Sequence, residues 1–160
     1  MPLATTINNL EINHIEMDTS GTYSTNPACS HVLIVEDEPI SQKIMRHFIE
    51  HAGYSCEVVG KGEDGVACMK ETQYGLVFMD IGLPGDIDGT EAIRQIREHE
   101  AENQLNPTPI IAISAHLLTQ DYPKVYAAGA NVVLGKPTEL EELRRLLRQY
   151  APLMEQKFAQ

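Results

Sequence analysis

The sequence is poor in basic residues. Its 160 residues include 12 Lys and Arg against 23 Asp and Glu, a formal net charge of -11. Such a field repels a phosphate backbone and argues against a dedicated nucleic-acid binder. No Lys or Arg precedes Lys43, so the basic start of a secretory signal peptide is missing. Long apolar runs are missing too. A stretch such as Pro109 to Ile113 is far too short to span a bilayer, and no membrane contact is expected. Cysteine is scarce, and Cys29, Cys56 and Cys68 have the spacing of neither a disulfide framework nor a zinc site. They read as buried or inert thiols of a reduced, cytoplasmic protein. What is left is the composition of one globular domain, 42% hydrophobic and 22% charged, without an internal repeat.

Residues 1–30 are the irregular part, rich in Thr, Ser and Asn and ending in DTSGTYSTNPACS from Asp18 to Ser30. Small polar residues with Gly and Pro breakers predict a flexible extension or linker, in which Ile7 to Ile15 suffices for one strand or helical turn. From His31 to Tyr150 the pattern is regular. Short apolar runs at Val32–Val35, Ser55–Val59, Leu76–Met79, Ile110–Ile113 and Val132–Leu134 predict five strands. Pro39 opens a first helix with Ile40, Ile44, Met45, Phe48 and Ile49 at helical spacing, and Gly53 stops it. Glu63 to Thr72 reads as a second helix. Asp88 with Glu91, and Thr138 with Glu141, predict capping boxes for the third and fifth. The fourth runs from about Leu117 to Ala128, bent or interrupted near Pro123. Leu140, Leu143, Leu146 and Leu147 stripe the last helix, which the tail 151–160 is free to prolong. Strands written as unbroken apolar runs are buried on both faces. The fold class is therefore α/β, a doubly wound five-stranded parallel sheet with helices on both sides, in a domain at 31–150.

In such a sheet the site lies at the carboxyl ends of the strands. Strand one delivers Glu36 and Asp37, strand three Asp80, strand four Ser114 and strand five Lys136. Three carboxylates at one edge repel one another and need a cation. Oxygen donors without His or Cys point to a hard ion, Mg2+ above all. A carboxylate can also act as a nucleophile and form an acyl phosphate. Lys136 and Ser114 supply the cation and hydroxyl that phosphoryl transfer needs on its other side. The set is complete for a magnesium-dependent phosphoryl acceptor with Asp80 as nucleophile.

The pieces VLIVEDEP, VFMDIGLPGDIDG, IIAISAH and GKPTELEEL resemble the receiver domain of bacterial two-component response regulators, over about His31 to Tyr150. The resemblance implies a flavodoxin-like (βα)5 fold with strand order 2-1-3-4-5. It implies phosphorylation of Asp80 by a histidine kinase or histidine phosphotransfer domain. Mg2+ would be held by Asp37, Asp80 and the backbone carbonyl of Gly82, with Glu36 acting through water. Lys136 would contact the phosphoryl group, and Ser114 would report it by shifting toward it. A homodimer through the face of helix four, strand five and helix five also fits the family. Three departures stand out. The loop after Pro84 is one residue longer than the usual spacing. Val133 stands where the family has its switch aromatic, which favours the relay role of hybrid sensor kinases. Gly82 offers no side chain beside the acyl phosphate, whereas His116 does.

Other readings compete. Gly60, Gly62 and Gly65 satisfy G-x-G-x-x-G, but after the second strand and with Glu63 and Asp64 facing any pyrophosphate. Asp86-Ile87-Asp88-Gly89-Thr90 spells the nucleophile motif of haloacid dehalogenase phosphatases, although no apolar strand precedes it and Asp88 looks like a helix cap. His47 and His51 have i, i+4 spacing without a third ligand. A pseudo-receiver that binds partners without phosphorylation is the remaining alternative.

Overall fold

The computed structural model describes residues 15–17, 23–25, 30–115 and 121–153. In the N-terminal part, β1 (Ile15–Met17) pairs antiparallel with β2 (Tyr23–Thr25). Paired strands thus stand within a stretch whose composition predicts a linker. The domain then alternates β3 (His31–Val35), α1 (Pro39–His51), β4 (Ser55–Val59), α2 (Gly62–Glu71), β5 (Leu76–Asp80), α3 (Gly89–Glu102), β6 (Ile110–Ser114), α4 (Tyr122–Ala128), β7 (Val132–Gly135) and α5 (Leu140–Tyr150).

The main sheet is parallel throughout, in the order β4-β3-β5-β6-β7. Counted within the sheet this is 2-1-3-4-5, so the doubly wound α/β class holds. The central β5 and β6 are buried along their whole length, while the edge strand β4 is only half covered. Alternation along the strands divides the interior in two. Leu33, Val35, Val77, Met79, Ile110, Ala112 and Val133 face α2, α3 and α4. Val32, Ile34, Leu76, Phe78, Ile111 and Ile113 face α1 and α5.

Helix ends differ in detail from the sequence signals. Asp88 caps α3 by accepting from the Glu91 amide at 2.9 Å, but the Glu91 carboxylate turns to Arg94 at 2.7 Å instead of reaching back. The Thr138 box does not form: α5 has Glu139 at its N-cap, and Glu141 pairs with Arg144. Arginines three residues on, with multivalent donors, compete successfully for both glutamates. Pro123 does not bend α4; it stands in the first turn, where its missing N–H costs nothing. The segment 116–120, with His116 and the expected start at Leu117, lies outside the described residues. Helix α5 ends at Tyr150 and Ala151 leaves the helical conformation, so residues 151–153 do not prolong it; residues 154–160 lie outside the described part. Among the described residues, no helix is long and apolar enough to cross a membrane.

Candidate functional site

Strand parity decides which side chains meet above the sheet. Glu36 continues the alternation of Ile34 and Val32, Asp80 that of Phe78 and Leu76, and Lys136 that of Leu134 and Val132, all on the α1–α5 side. Ser114 follows Ala112 and Ile110 and belongs to the opposite side. A cleft of about 540 Å³ results, lined by Glu36, Asp37, Asp80, Gly82, Ser114 and Lys136 among others. Every site residue named from the sequence is therefore at this one place.

Carboxylate oxygens of Glu36, Asp37 and Asp80 lie within 4.8 Å of one another. Glu36 and Asp80 are buried, at 2% and 4% exposure, and Asp37 is exposed. The Lys136 ammonium donates to Glu36 Oε2 at 3.1 Å and to Asp80 Oδ2 at 3.0 Å. Burial pushes the Glu36 carboxyl above its ordinary range, the Glu38 amide pulls it down, and the Asp80 charge adds to the rise. Burial works to lower Lys136, but its hydrogen bonds to Asp80 and Glu36 outweigh that and hold the ammonium above its ordinary range. An oxygen-only donor set, two acids buried and one open to solvent, suits a small hard divalent cation.

The neighbouring backbone is fixed to match. Glu38 is the N-cap of α1, accepting from the amides of Ile40 and Ser41 at 3.0 and 2.6 Å, so the third acid of that run is structural. The Gly82 amide donates to Asp80 Oδ1 at 3.1 Å. The Gly89 amide donates to the Ile81 carbonyl at 3.0 Å. A Cβ on Gly89 would stand 2.0 Å from the Asp80 carbonyl oxygen, so only glycine lets α3 start there. The Lys136 amide donates to the Ser114 carbonyl at 2.8 Å and ties the two strand ends together.

The competing motifs find ordinary explanations. Gly62 and Gly65 are packing glycines; a Cβ would press on Ile87 at 3.0 Å and on Val35 at 2.9 Å respectively. Asp88 is a helix cap, and Asp86 sits on an exposed loop outside the cleft. His47 and His51 stack, with ring centroids 5.9 Å apart, on the exposed side of α1. Sequence reasoning missed Asp121 and Lys124, which bring α4 to the cleft, because nothing local marks which turn of that helix faces it. Along α1, Met45 and Ile49 are buried, but Ile40 and Ile44 are 67% and 56% exposed.

A family model for the response regulator receiver domain matches residues 32–148. The chain belongs to the response regulator receiver family. It is 36% identical over 124 residues to hybrid signal transduction histidine kinase G of Dictyostelium discoideum, covering 76% of this chain and 4% of that protein. To the transcription factor SKN7 of Saccharomyces cerevisiae it is 33% identical over 131 residues, 79% of this chain and 20% of the relative. The chain thus spans a small part of the curated relatives it matches. A receiver domain of a Pseudomonas aeruginosa sensor histidine kinase, solved with a magnesium ion coordinated in its active site cleft, superposes with a TM-score of 0.68 at 32% identity, covering 78% of this chain and 98% of that one. The structure of the Saccharomyces cerevisiae phosphotransfer protein Ypd1 with the receiver domain of its downstream response regulator Ssk1 matches with a TM-score of 0.72 at 32% identity, covering 78% and 92%.

Proposed function

We propose that this receiver takes a phosphoryl group on Asp80 from a phosphohistidine and passes on or reports that state as one step of a phosphorelay. The observation that carries the reading is the buried Asp80 carboxylate between Glu36, Asp37 and the Lys136 ammonium. An Asp80 oxygen bonds to phosphorus as the P–N bond to the donor imidazole breaks, and the electron pair leaves with the ring nitrogen. Lys136 then has a phosphoryl oxygen to neutralise in place of the carboxylate it now bridges. Asp37, Asp80 and the Gly82 carbonyl would hold Mg2+, with Glu36 acting through water. Its chemistry is to offset negative charge as the phosphoryl group arrives. The magnesium in the cleft of the Pseudomonas relative supports that assignment.

The partner is a histidine kinase or histidine phosphotransfer domain, meeting the receiver on the cytoplasmic side of signalling. Exposed Ile40 and Ile44 on α1, the helix that follows the acidic pair, give such a partner an apolar contact, and the complex of Ypd1 with a similar receiver supports it. Buried Val133, where the family has its switch aromatic, supports relay over a ring swing, with Ser114 leading the response. A homodimer through α4, β7 and α5 belongs to the same reading, supported by exposed Tyr126 and Leu140.

Intact mass after treatment with a small-molecule phosphodonor tests the proposal. The expected result is a single phosphoryl adduct that needs Mg2+, disappears with chelator and is absent in Asp80→Asn. An adduct that survives in Asp80→Asn, or equal yield with and without chelator, overturns it.

A further inference from the structure

We infer that Glu63, a residue outside the cleft, is a positioning residue for its metal side: its carboxylate clamps the loop that carries Gly82. The inference rests on the reading of the site given above. The loop from Gly82 to Asp88 joins β5 to the N-cap of α3. Its neck is closed by the Gly89 amide on the Ile81 carbonyl, and Leu83 anchors it in the core. Its apex, Pro84 to Asp86, is exposed. Into that apex reaches Glu63 from the first turn of α2. Glu63 Oε1 accepts from the Asp86 amide at 2.8 Å and from the Ile87 amide at 2.9 Å. Two successive amides converging on one anionic oxygen form a small nest, with charge-assisted bonds.

Gly85 shows how closely the apex approaches the carboxylate. Its φ is +107°, a left-handed conformation, and a Cβ there would stand 3.0 and 3.1 Å from the two Glu63 oxygens. The backbone therefore turns tightly against the carboxylate, and glycine is what fits. The second oxygen, Oε2, is buried without a hydrogen-bond partner, so the contacts with the loop run through Oε1, while the Glu63 backbone amide also acts on its own carboxylate. Glu63 does not line the cleft. Its influence on a cation must pass along the loop to Gly82, whose amide already fixes Asp80 Oδ1 and whose carbonyl is assigned to Mg2+.

The test follows Mg2+ binding through the Gly82 amide resonance in the wild-type protein, Glu63→Ala, Glu63→Asp and Glu63→Gln. Glu63→Ala removes the acceptor; Glu63→Asp keeps the charge but is a methylene too short; Glu63→Gln keeps an acceptor oxygen at the same reach. Glu63→Ala and Glu63→Asp are expected to bind Mg2+ about tenfold more weakly, the loss typical of removing a ligand's support. Glu63→Gln, which keeps the acceptor but loses the charge assistance, is expected to lose less than either. The Mg2+ needed for half-maximal phosphorylation rises in the same order, while the maximal rate holds because Asp80 and Lys136 are untouched. Unchanged Mg2+ affinity in Glu63→Asp, with the Asp86 and Ile87 amides displaced upfield, overturns the clamp, as does equal loss in Glu63→Gln. If Glu63→Ala does not fold, the Asp and Gln variants decide. A wild-type protein that binds no Mg2+ overturns the reading of the site itself.

Discussion

Lys136→Met converts the site from a compensated cluster into two facing buried anions. The ammonium bridges Glu36 and Asp80 at 3.1 and 3.0 Å, and its own side chain is 29% exposed. Without it, carboxylates within 4.8 Å repel by about 3.5 kcal/mol at an effective dielectric of about 20. The alternative is uptake of a proton. Starting from an ordinary Glu value of 4.5, protonation at neutral pH costs about 3.4 kcal/mol. Both routes converge on a loss of about 3 kcal/mol without Mg2+, in line with breaking other buried ion pairs. In a domain of this size that lowers the melting temperature by roughly 10 °C or more. Circular dichroism melts of wild type and Lys136→Met, in chelator and in excess Mg2+, read it directly. Mg2+ should stabilise the variant more than the wild type, because the cation replaces the missing charge. A variant equally destabilised with and without Mg2+ refutes the reasoning, since the loss would then be one of packing.

Arg97 on α3 pairs with buried Glu100 at 2.7 Å and also donates to the carbonyls of Thr108 and Gly129 and to Asn131 Oδ1. Arg97→Met is expected to cost about 3 kcal/mol in urea denaturation, and a loss under about 1 kcal/mol would make the network no better than a surface pair. Ile44→Glu should leave stability within about 0.5 kcal/mol and labelling by a small phosphodonor intact. It should slow transfer from a phosphotransfer protein at least about tenfold, equivalent to about 1.4 kcal/mol of lost contact; unchanged transfer would remove α1 from the docking surface. The Glu91 carboxyl, held down to about 2 by Arg94 and then Gln95, favours the folded state above its ordinary value of 4.5, and that contribution is lost as pH falls through about 2. Its side-chain carbon shift should titrate there, and a midpoint at the ordinary value would show the Arg94 bond to be absent in solution.

The fold was legible because four of the five strands of the sheet are short apolar runs followed by the polar residues that line the cleft. Period and termination carry enough information to place Glu36, Asp37, Asp80, Ser114 and Lys136 at one edge. What escaped is non-local. Glu63 and the Asp86 and Ile87 amides are more than twenty positions apart, and no spacing rule joins a helix start to another strand's loop. The same holds for Arg97, which besides Glu100 on its own helix finds partners in two later segments, at Thr108 and at Gly129 with Asn131. The exposure of Ile40 and Ile44 was hidden because apolar residues at helical spacing read alike whether they face the core or its rim. The capping boxes at Glu91 and Glu141 failed because each glutamate had a second suitor one turn on.

The sheet separates two apolar compartments that have no buried side chain in common. Ile49 of α1 and Leu146 of α5 belong to one, on the side from which Asp80 and Lys136 rise; Val125 of α4 and Val133 of β7 belong to the other, on the side of Ser114. The backbone of five strands is the partition between them. A substitution that repacks the layer under α1 and α5 is therefore expected to leave the layer under α2, α3 and α4 in place, and the reverse holds too.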